Sequence, residues 1–218
     1  MIHKFLDINT LDEKMTAKYY PLLSEKRRKN IENLPTPRER SIAFCSDIIA
    51  RRTLSELCDA PEFSFELLLN PNGMSAVGNY DAKISLVLNG DILGCAVSKN
   101  SVGMAVAENK TYNFGELQGF LTDSELRDVF SQSVYSYCEL LNMPELAEEK
   151  LCQRAGVYNA LKKAYFKAKG KYINNNLLSV DFSLLNGSVS CSDKNVIISA
   201  LGADVKNGFV YAVAESVK

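Results

Sequence analysis

Histidine is almost absent from this sequence of 218 residues: His3 is the only one. A single histidine excludes a metal site that needs several, and a histidine-dependent catalytic triad would have to use the end of the chain. No stretch of about 18 apolar residues is present, so the sequence predicts no membrane span. The first residues also lack the apolar core and cleavage site of a secretory signal peptide.

Neither sign of charge dominates the chain. Its 25 Lys and Arg residues and 26 Asp and Glu residues give a formal net charge of −1 at pH 7. This balance produces no overall field that would attract nucleic acid or a membrane surface. The basic stretches are not interleaved with base-stacking aromatic residues, so nucleic acid is not favoured as a partner. No membrane partner is expected either, because the net charge is near zero and no apolar span is present.

Closely spaced cysteine pairs are also missing, because the six cysteines are scattered and none forms a C-x-x-C motif. An even number of cysteines would permit three disulfides. In a chain of this size that carries no secretion signal, however, we expect buried free thiols. These observations together predict a cytoplasmic protein.

The first half of the sequence predicts a strand, then helices, then strands. The segment HKFLDI predicts an edge strand, residues 11–34 predict a helix broken at Pro21, and residues 38–58 predict a longer helix. Residues 70–79 are rich in Gly, Pro and Asn and predict turns. A three-stranded β-meander is then expected, with strands at about 83–88, 91–98 and 101–108.

The second half repeats the order of helices followed by strands. Thr122-x-x-Glu125 predicts a capping box for a helix at 123–132, and residues 145–169 predict a long helix that ends at Gly170. Strands are expected at about 177–185, 187–191, 194–200 and 208–215. Because 218 residues can form two domains of about 100 residues, the predicted fold is α+β with two similar lobes, 1–108 and 109–218.

Two segments resemble the 4′-phosphopantetheinyl transferases of the larger, two-lobed class. They read ISLVLNGDILGCAVSKNSVGMAVAE at 84–108 and NALKKAYFKAKGKYI at 159–173. The residues that match the family's motifs are Gly90, Asp91, Gly103, Ala164, Tyr165, Lys167, Ala168, Gly170 and Lys171. The resemblance implies a pseudo-dimer of two lobes within one chain, a monomer that acts on coenzyme A and on a serine of an acyl carrier protein.

The family's acidic residues are replaced in this chain. The positions of its metal-binding Asp and Glu fall on Ala105 and Ala107, and the Glu of its helix motif falls on Lys163. Because Mg²⁺ requires oxygen ligands, the resemblance implies no metal site and a transferase without its usual activity. Glu108 could replace a lost acid only if a β-bulge turned it to the other face of its strand.

Several basic residues remain where the resemblance implies binding of the coenzyme's phosphates, which makes coenzyme A a candidate ligand and an acidic carrier protein a candidate partner. Asn159, Lys163 and Lys167 lie at i, i+4 and i+8, so they share one helical stripe, and Lys163 predicts attraction of anions in place of a cation. The candidate ligand-binding residues are Arg51, Arg52, Lys162, Lys163 and Lys167. The alternatives are an active transferase with a rearranged site, an interaction protein without a ligand, and a solvated basic face.

Overall fold

The computed structural model describes residues 1–70, 73–77, 80–136, 139, 142–143, 148–171, 176–185, 187–204 and 206–217. The protein is a mixed α/β structure with small antiparallel sheets. By its internal contacts the chain divides into two compact units, Met1–Asn100 and Ser101–Lys218. No helix in the described part of the chain combines the length and apolar character needed to cross a membrane.

The first unit begins with β1 (Ile2–Asp7), followed by the helices α1 (Glu13–Tyr19), α2 (Glu25–Glu32) and α3 (Pro37–Cys58). A 3₁₀ turn over Tyr20–Leu22 separates α1 from α2, which confirms the predicted break at Pro21. Thr36 and Glu39 form a capping box that starts α3, and Asp59 ends it in the left-handed conformation. The predicted long helix is thereby confirmed.

Five strands of the first unit form one antiparallel sheet. They are β1, β2 (Glu66–Asn70), β3 (Gly73–Val77), β4 (Lys83–Asn89) and β5 (Ile92–Ser98), in the order β1-β5-β4-β3-β2. The position of β1 at the edge confirms the prediction for HKFLDI. The prediction of turns alone over 70–79 was wrong, because β3 lies within that range and pairs with β2.

The second unit contains β6 (Ser101–Glu108), α4 (Phe114–Phe120), α5 (Asp123–Phe130) and α6 (Glu149–Ala168). The strands β7 (Phe182–Leu185), β8 (Ser188–Cys191), β9 (Val196–Asp204) and β10 (Phe209–Ser216) follow. The capping box of Thr122 and Glu125 is present at the start of α5. Gly170 follows α6 with a φ of 64°, in the left-handed region that suits a helix end.

The predicted β-meander was wrong in its third strand. β4 and β5 form the expected hairpin at Asn89-Gly90, but β6 pairs with β10 in a separate three-stranded sheet of order β6-β10-β9. Consequently β6 belongs to the second compact unit, and the division falls between Asn100 and Ser101, earlier than the expected boundary at 108. The pairing partner of β6 lies about a hundred residues ahead, where no turn signal can indicate it.

The cores of the two units are separate apolar clusters. In the first unit α3 packs on the sheet through residues such as Ile49 and Leu54, and in the second α6 packs on β6 and β10. The described cysteines are all free, in agreement with the prediction of free thiols, and Cys45, Cys95 and Cys152 are buried. Cys138 lies outside the described residues.

Candidate anion-binding site

Helix α6 lies unusually close to strand β6 at Gly103. A Cβ atom at Gly103 would be 2.1 Å from the backbone oxygen of Ala164 and 2.4 Å from the nitrogen of Ala168. Only glycine permits this approach, which explains the glycine at this position. The Ser101 hydroxyl donates to the Ala168 carbonyl at 2.6 Å and ties the end of the helix to the start of the strand.

Ala105 and Ala107 are part of the apolar core of the second unit. They are 2% and 4% exposed and belong to the cluster that α6 covers. Neither residue can offer an oxygen to a metal ion from its side chain. Among the described residues, no group of three or more His, Cys, Asp or Glu side chains could hold a metal ion.

Glu108 does not turn toward these alanines. The pairing of β6 with β10 runs without a register shift from Ser101 with Ser216 to Glu108 with Phe209. The bulge that would have reoriented Glu108 is therefore absent from this strand pair, and that alternative was wrong. Glu108 is exposed at the end of β6.

Lys163 and Lys167 lie on successive turns of α6 and are both half-buried. Burial lowers the pKa of the Lys163 ammonium, the charge of Lys110 lowers it further, and Glu108 opposes the effect. Burial also lowers the pKa of Lys167, to which the charge of Lys163 adds. Lys167 donates from Nζ to the carbonyl of Met104 at 3.0 Å. The helix therefore carries two adjacent lysines whose charges are poorly solvated and repel each other.

Lys110 extends this group of positive charges, although no motif in the sequence indicated it. Its Nζ lies 4.9 Å from the centroid of the Tyr112 ring and 2.8 Å from Oε1 of Glu116. The hydrogen bond to Glu116 raises the pKa of Lys110, so this lysine remains charged at neutral pH. We refer to Lys110, Lys163 and Lys167 as the lysine cluster.

A buried tyrosine lies beneath Lys110, one member of the lysine cluster. Tyr112 is 2% exposed, and its hydroxyl oxygen makes no hydrogen bond of normal geometry among the described residues, although the Asn159 amide is near enough to act on it. Burial raises the pKa of this hydroxyl, and the amide of Asn159, together with the charge of Lys110, partly opposes the rise. Asn159 is the first residue of the predicted helical stripe, so the stripe passes from Asn159 over Lys163 to Lys167 as α6 winds.

Lys162 was predicted to bind a ligand, but its side chain does not lie where a ligand could reach it. Its side chain is fully buried, forms an ion pair with Oε2 of Glu125 at 2.7 Å, and donates to the carbonyls of Leu177 and Val180 at 2.9 Å each. An ammonium group has three donors, and all three are used within the protein. The structure therefore corrects the prediction for Lys162: it holds α6, α5 and the segment before β7 together.

Arg51 likewise has an internal role. It is 4% exposed and donates to the carbonyls of Leu22, Glu62 and Phe65 in the first unit, at 3.1, 3.1 and 2.6 Å. Burial lowers the pKa of its guanidinium. Nε of Arg51 has no hydrogen-bond partner among the described residues, so the expected contact of Arg51 with the coenzyme stays a prediction. Arg52, one residue further along α3, is exposed.

Two further basic residues, one within α6 and one directly after it, are neutralised by carboxylates. Arg154 forms a bidentate pair with Asp128, with atoms 2.6 and 3.0 Å apart, and Lys169 lies 3.1 Å from Asp193. Of the basic residues between 154 and 168, Lys163 is one that forms no ion pair with a carboxylate within the described structure.

Comparison with known proteins adds no relative: no protein-family model matches this chain, and a search of curated proteins finds no match. The resemblance to phosphopantetheinyl transferases therefore depends on the two segments quoted above.

Proposed function

We propose that this chain is a phosphopantetheinyl transferase-like protein that has lost metal-dependent transfer and binds a phosphate-bearing ligand at the lysine cluster. The observation that carries the proposal is that the contact between α6 and β6 combines lost metal ligands with half-buried lysines. Ala105 and Ala107 remove the metal ligands from β6, while Lys163 and Lys167 present poorly solvated positive charge from α6.

The electrostatics of the lysine cluster favour an anion. Half-burial costs free energy because each ammonium loses hydration, and mutual repulsion adds to this cost. A bound phosphate would supply charge-assisted hydrogen bonds and remove the repulsion at once. Glu108 acts on Lys163 and Lys110, and Glu116 is already bonded to Lys110.

Magnesium does not fit the residues present. The ion requires oxygen ligands in near-octahedral geometry, whereas the strand offers two methyl groups and the helix offers a cation that would repel it. A ligand with two phosphates, such as coenzyme A or the adenosine bisphosphate that remains after transfer, would use Lys163 as a fixed positive charge. Lys167 would add charge from the next turn.

The resemblance also supports a two-lobed pseudo-dimer as the finer description of the fold. In each compact unit, one long helix packs on an antiparallel sheet: α3 on β5 in the first unit and α6 on β6 and β10 in the second. The sheets differ in strand number, five against three, so we propose that the two units share the arrangement of a long helix on an antiparallel sheet but differ in sheet size.

An acidic carrier protein is the proposed macromolecular partner, and the free cysteines support a reducing compartment such as the cytoplasm.

Calorimetric titration with coenzyme A, in buffer with EDTA and in buffer with Mg²⁺, tests the proposal. We expect saturable binding of equal affinity in both buffers, and binding that weakens as salt is added. Mass spectrometry of an acyl carrier protein incubated with coenzyme A, Mg²⁺ and excess protein should show no added phosphopantetheine. Transfer of the group would favour the active transferase with a rearranged site, and absence of any binding would favour the interaction protein without a ligand.

A further inference from the structure

The first unit contains a pocket of about 200 Å³ that is separate from the lysine cluster. Its apolar wall is formed by Leu22 and Leu23 before α2 and by Phe65 and Leu67 at the start of β2. Pockets for drug-sized ligands usually measure about 300–1,000 Å³. The occupant that fits here is therefore a small molecule with an apolar body.

The polar wall of this pocket is built from charged groups that are almost wholly buried. Nε of Arg27 donates to Oδ2 of Asp47 at 2.8 Å, and the two side chains are 13% and 3% exposed. Burial raises the pKa of Asp47, while the charge of Arg27 opposes the rise. Both residues of this ion pair line the pocket, as does Arg51.

Arg51 brings a second positive charge, on which the carboxylates of Asp47 and Glu62 act through space without a hydrogen bond among the described residues. Its three hydrogen bonds go to neutral carbonyl groups, and its Nε has no partner among the described residues. Asp47 is bonded to Arg27, and the nearby Glu62 forms an ion pair with Lys18 at 3.2 Å. The inner wall of the pocket thus holds two cations and one carboxylate, while Glu66 is exposed at the rim.

We propose that this pocket binds a small monocarboxylate whose carboxyl group faces Arg27 and Arg51 and whose hydrocarbon part packs on Leu22, Leu23, Phe65 and Leu67. One negative charge balances the excess on the inner wall, and a guanidinium group matches the geometry of a carboxylate. Burial of a short hydrocarbon chain against the apolar wall would contribute favourable free energy to binding, because apolar surface is removed from water. The pocket is independent of the lysine cluster, so either proposal can fail without the other.

An NMR titration of the full-length protein with hexanoate at neutral pH tests the proposal. We expect saturable shifts of the Leu22, Leu23 and Leu67 methyl signals, and much smaller shifts with hexanamide, which has the same chain and no charge. Leu67→Phe, which fills the pocket, should weaken hexanoate binding at least fivefold. Leu88→Phe places the same residue at an exposed position of β4 and should leave it unchanged.

A substitution of Glu66, which is exposed, provides a second variant that leaves the core intact. Glu66→Gln removes a negative charge at the mouth of the pocket and should strengthen hexanoate binding by about twofold, because exposed charges interact only weakly through water. Inorganic phosphate serves as the competitor. The proposal is overturned if hexanoate causes no saturable shift, if hexanamide binds equally well, or if phosphate displaces hexanoate, since the last result would indicate a general attraction of anions.

Discussion

Two neighbouring faces of α6 carry basic residues in opposite situations. On one face, Arg154 and Lys162 lie two helical turns apart, and each is held by a carboxylate of α5, Asp128 or Glu125. On the adjacent face, Lys163 and Lys167 are half-buried with lowered pKa values, and Lys163 forms no ion pair with a carboxylate in the described structure.

The comparison shows that the pairing of a lysine with a carboxylate depends on the element that it faces. Its neighbours in the sequence do not indicate whether it will be paired. Lys162 and Lys163 are adjacent, yet Lys162 is buried in an ion pair with Glu125, whereas Lys163 is half-buried and forms no ion pair with a carboxylate in the described structure. A buried ion pair is costly to break because the remaining charge stays buried without compensation. Lys163 forms no such pair in the described structure, so it can be changed without loss of the fold. Substitutions on the two faces should therefore have different effects on stability.

The largest expected effect comes from breaking the anchored face. Lys162→Met should lower the free energy of unfolding by about 3–5 kcal/mol, because Glu125 would remain buried without its partner. Lys163→Met, the same change one residue along, should alter it by less than about 1 kcal/mol. Urea denaturation followed by circular dichroism measures both. Equal losses for the two variants would show that the faces do not differ in the way described.

A smaller effect is expected where α6 approaches β6. Gly103→Ala should destabilise the protein by about 1–3 kcal/mol, because the added methyl group would overlap the backbone of α6. It would also lie 2.7 Å from Cβ of Lys167 and so disturb the lysine cluster. Gly156→Ala is the matched control: its methyl group would meet Val210 at an ordinary 3.5 Å, and alanine favours a helix by up to about 1 kcal/mol.

The smallest effect concerns pH. The pKa of Lys163 is lower in the folded protein than in the unfolded chain, chiefly because of burial. Between the lowered pKa and the usual value of about 10.5 the unfolded chain binds more protons, so stability due to this group rises with pH in that range. The free energy of unfolding of Lys163→Met, relative to that of the wild type, should therefore be highest near neutral pH. It should fall as pH approaches 10, because the wild type gains stability in that range. A difference in unfolding free energy that does not change with pH would contradict the lowered pKa.

Local signals were sufficient to predict much of the secondary structure. The Pro21 break, the Asn89-Gly90 hairpin, the Thr122 capping box and the end of the long helix at Gly170 all depend on nearby residues. The partner of β6 could not be predicted, because strand pairing across a hundred residues is decided by packing in the folded chain. The strands β2 and β3 were hidden by the turn-forming residues around them.

The candidate site was predictable in part for the same reason. Helical spacing placed Asn159, Lys163 and Lys167 on one stripe, whereas nothing local indicated that Glu125 would neutralise Lys162 or that Arg51 would be enclosed by carbonyl groups. Lys110 was overlooked because it lies in a loop far along the chain from α6. Its relation to Lys163 depends on the strand that precedes it, and that strand's position is a property of the tertiary structure.

The most direct test of the account is binding of 3′,5′-adenosine bisphosphate without metal to the wild type, Lys163→Glu and Lys150→Glu. Lys150 is exposed near the start of α6, so its variant makes the same change of charge on the same helix outside the lysine cluster. The account predicts that Lys163→Glu weakens binding at least tenfold in calorimetry while Lys150→Glu changes it less than about twofold. Equal binding by all three proteins would contradict an anion site at Lys163.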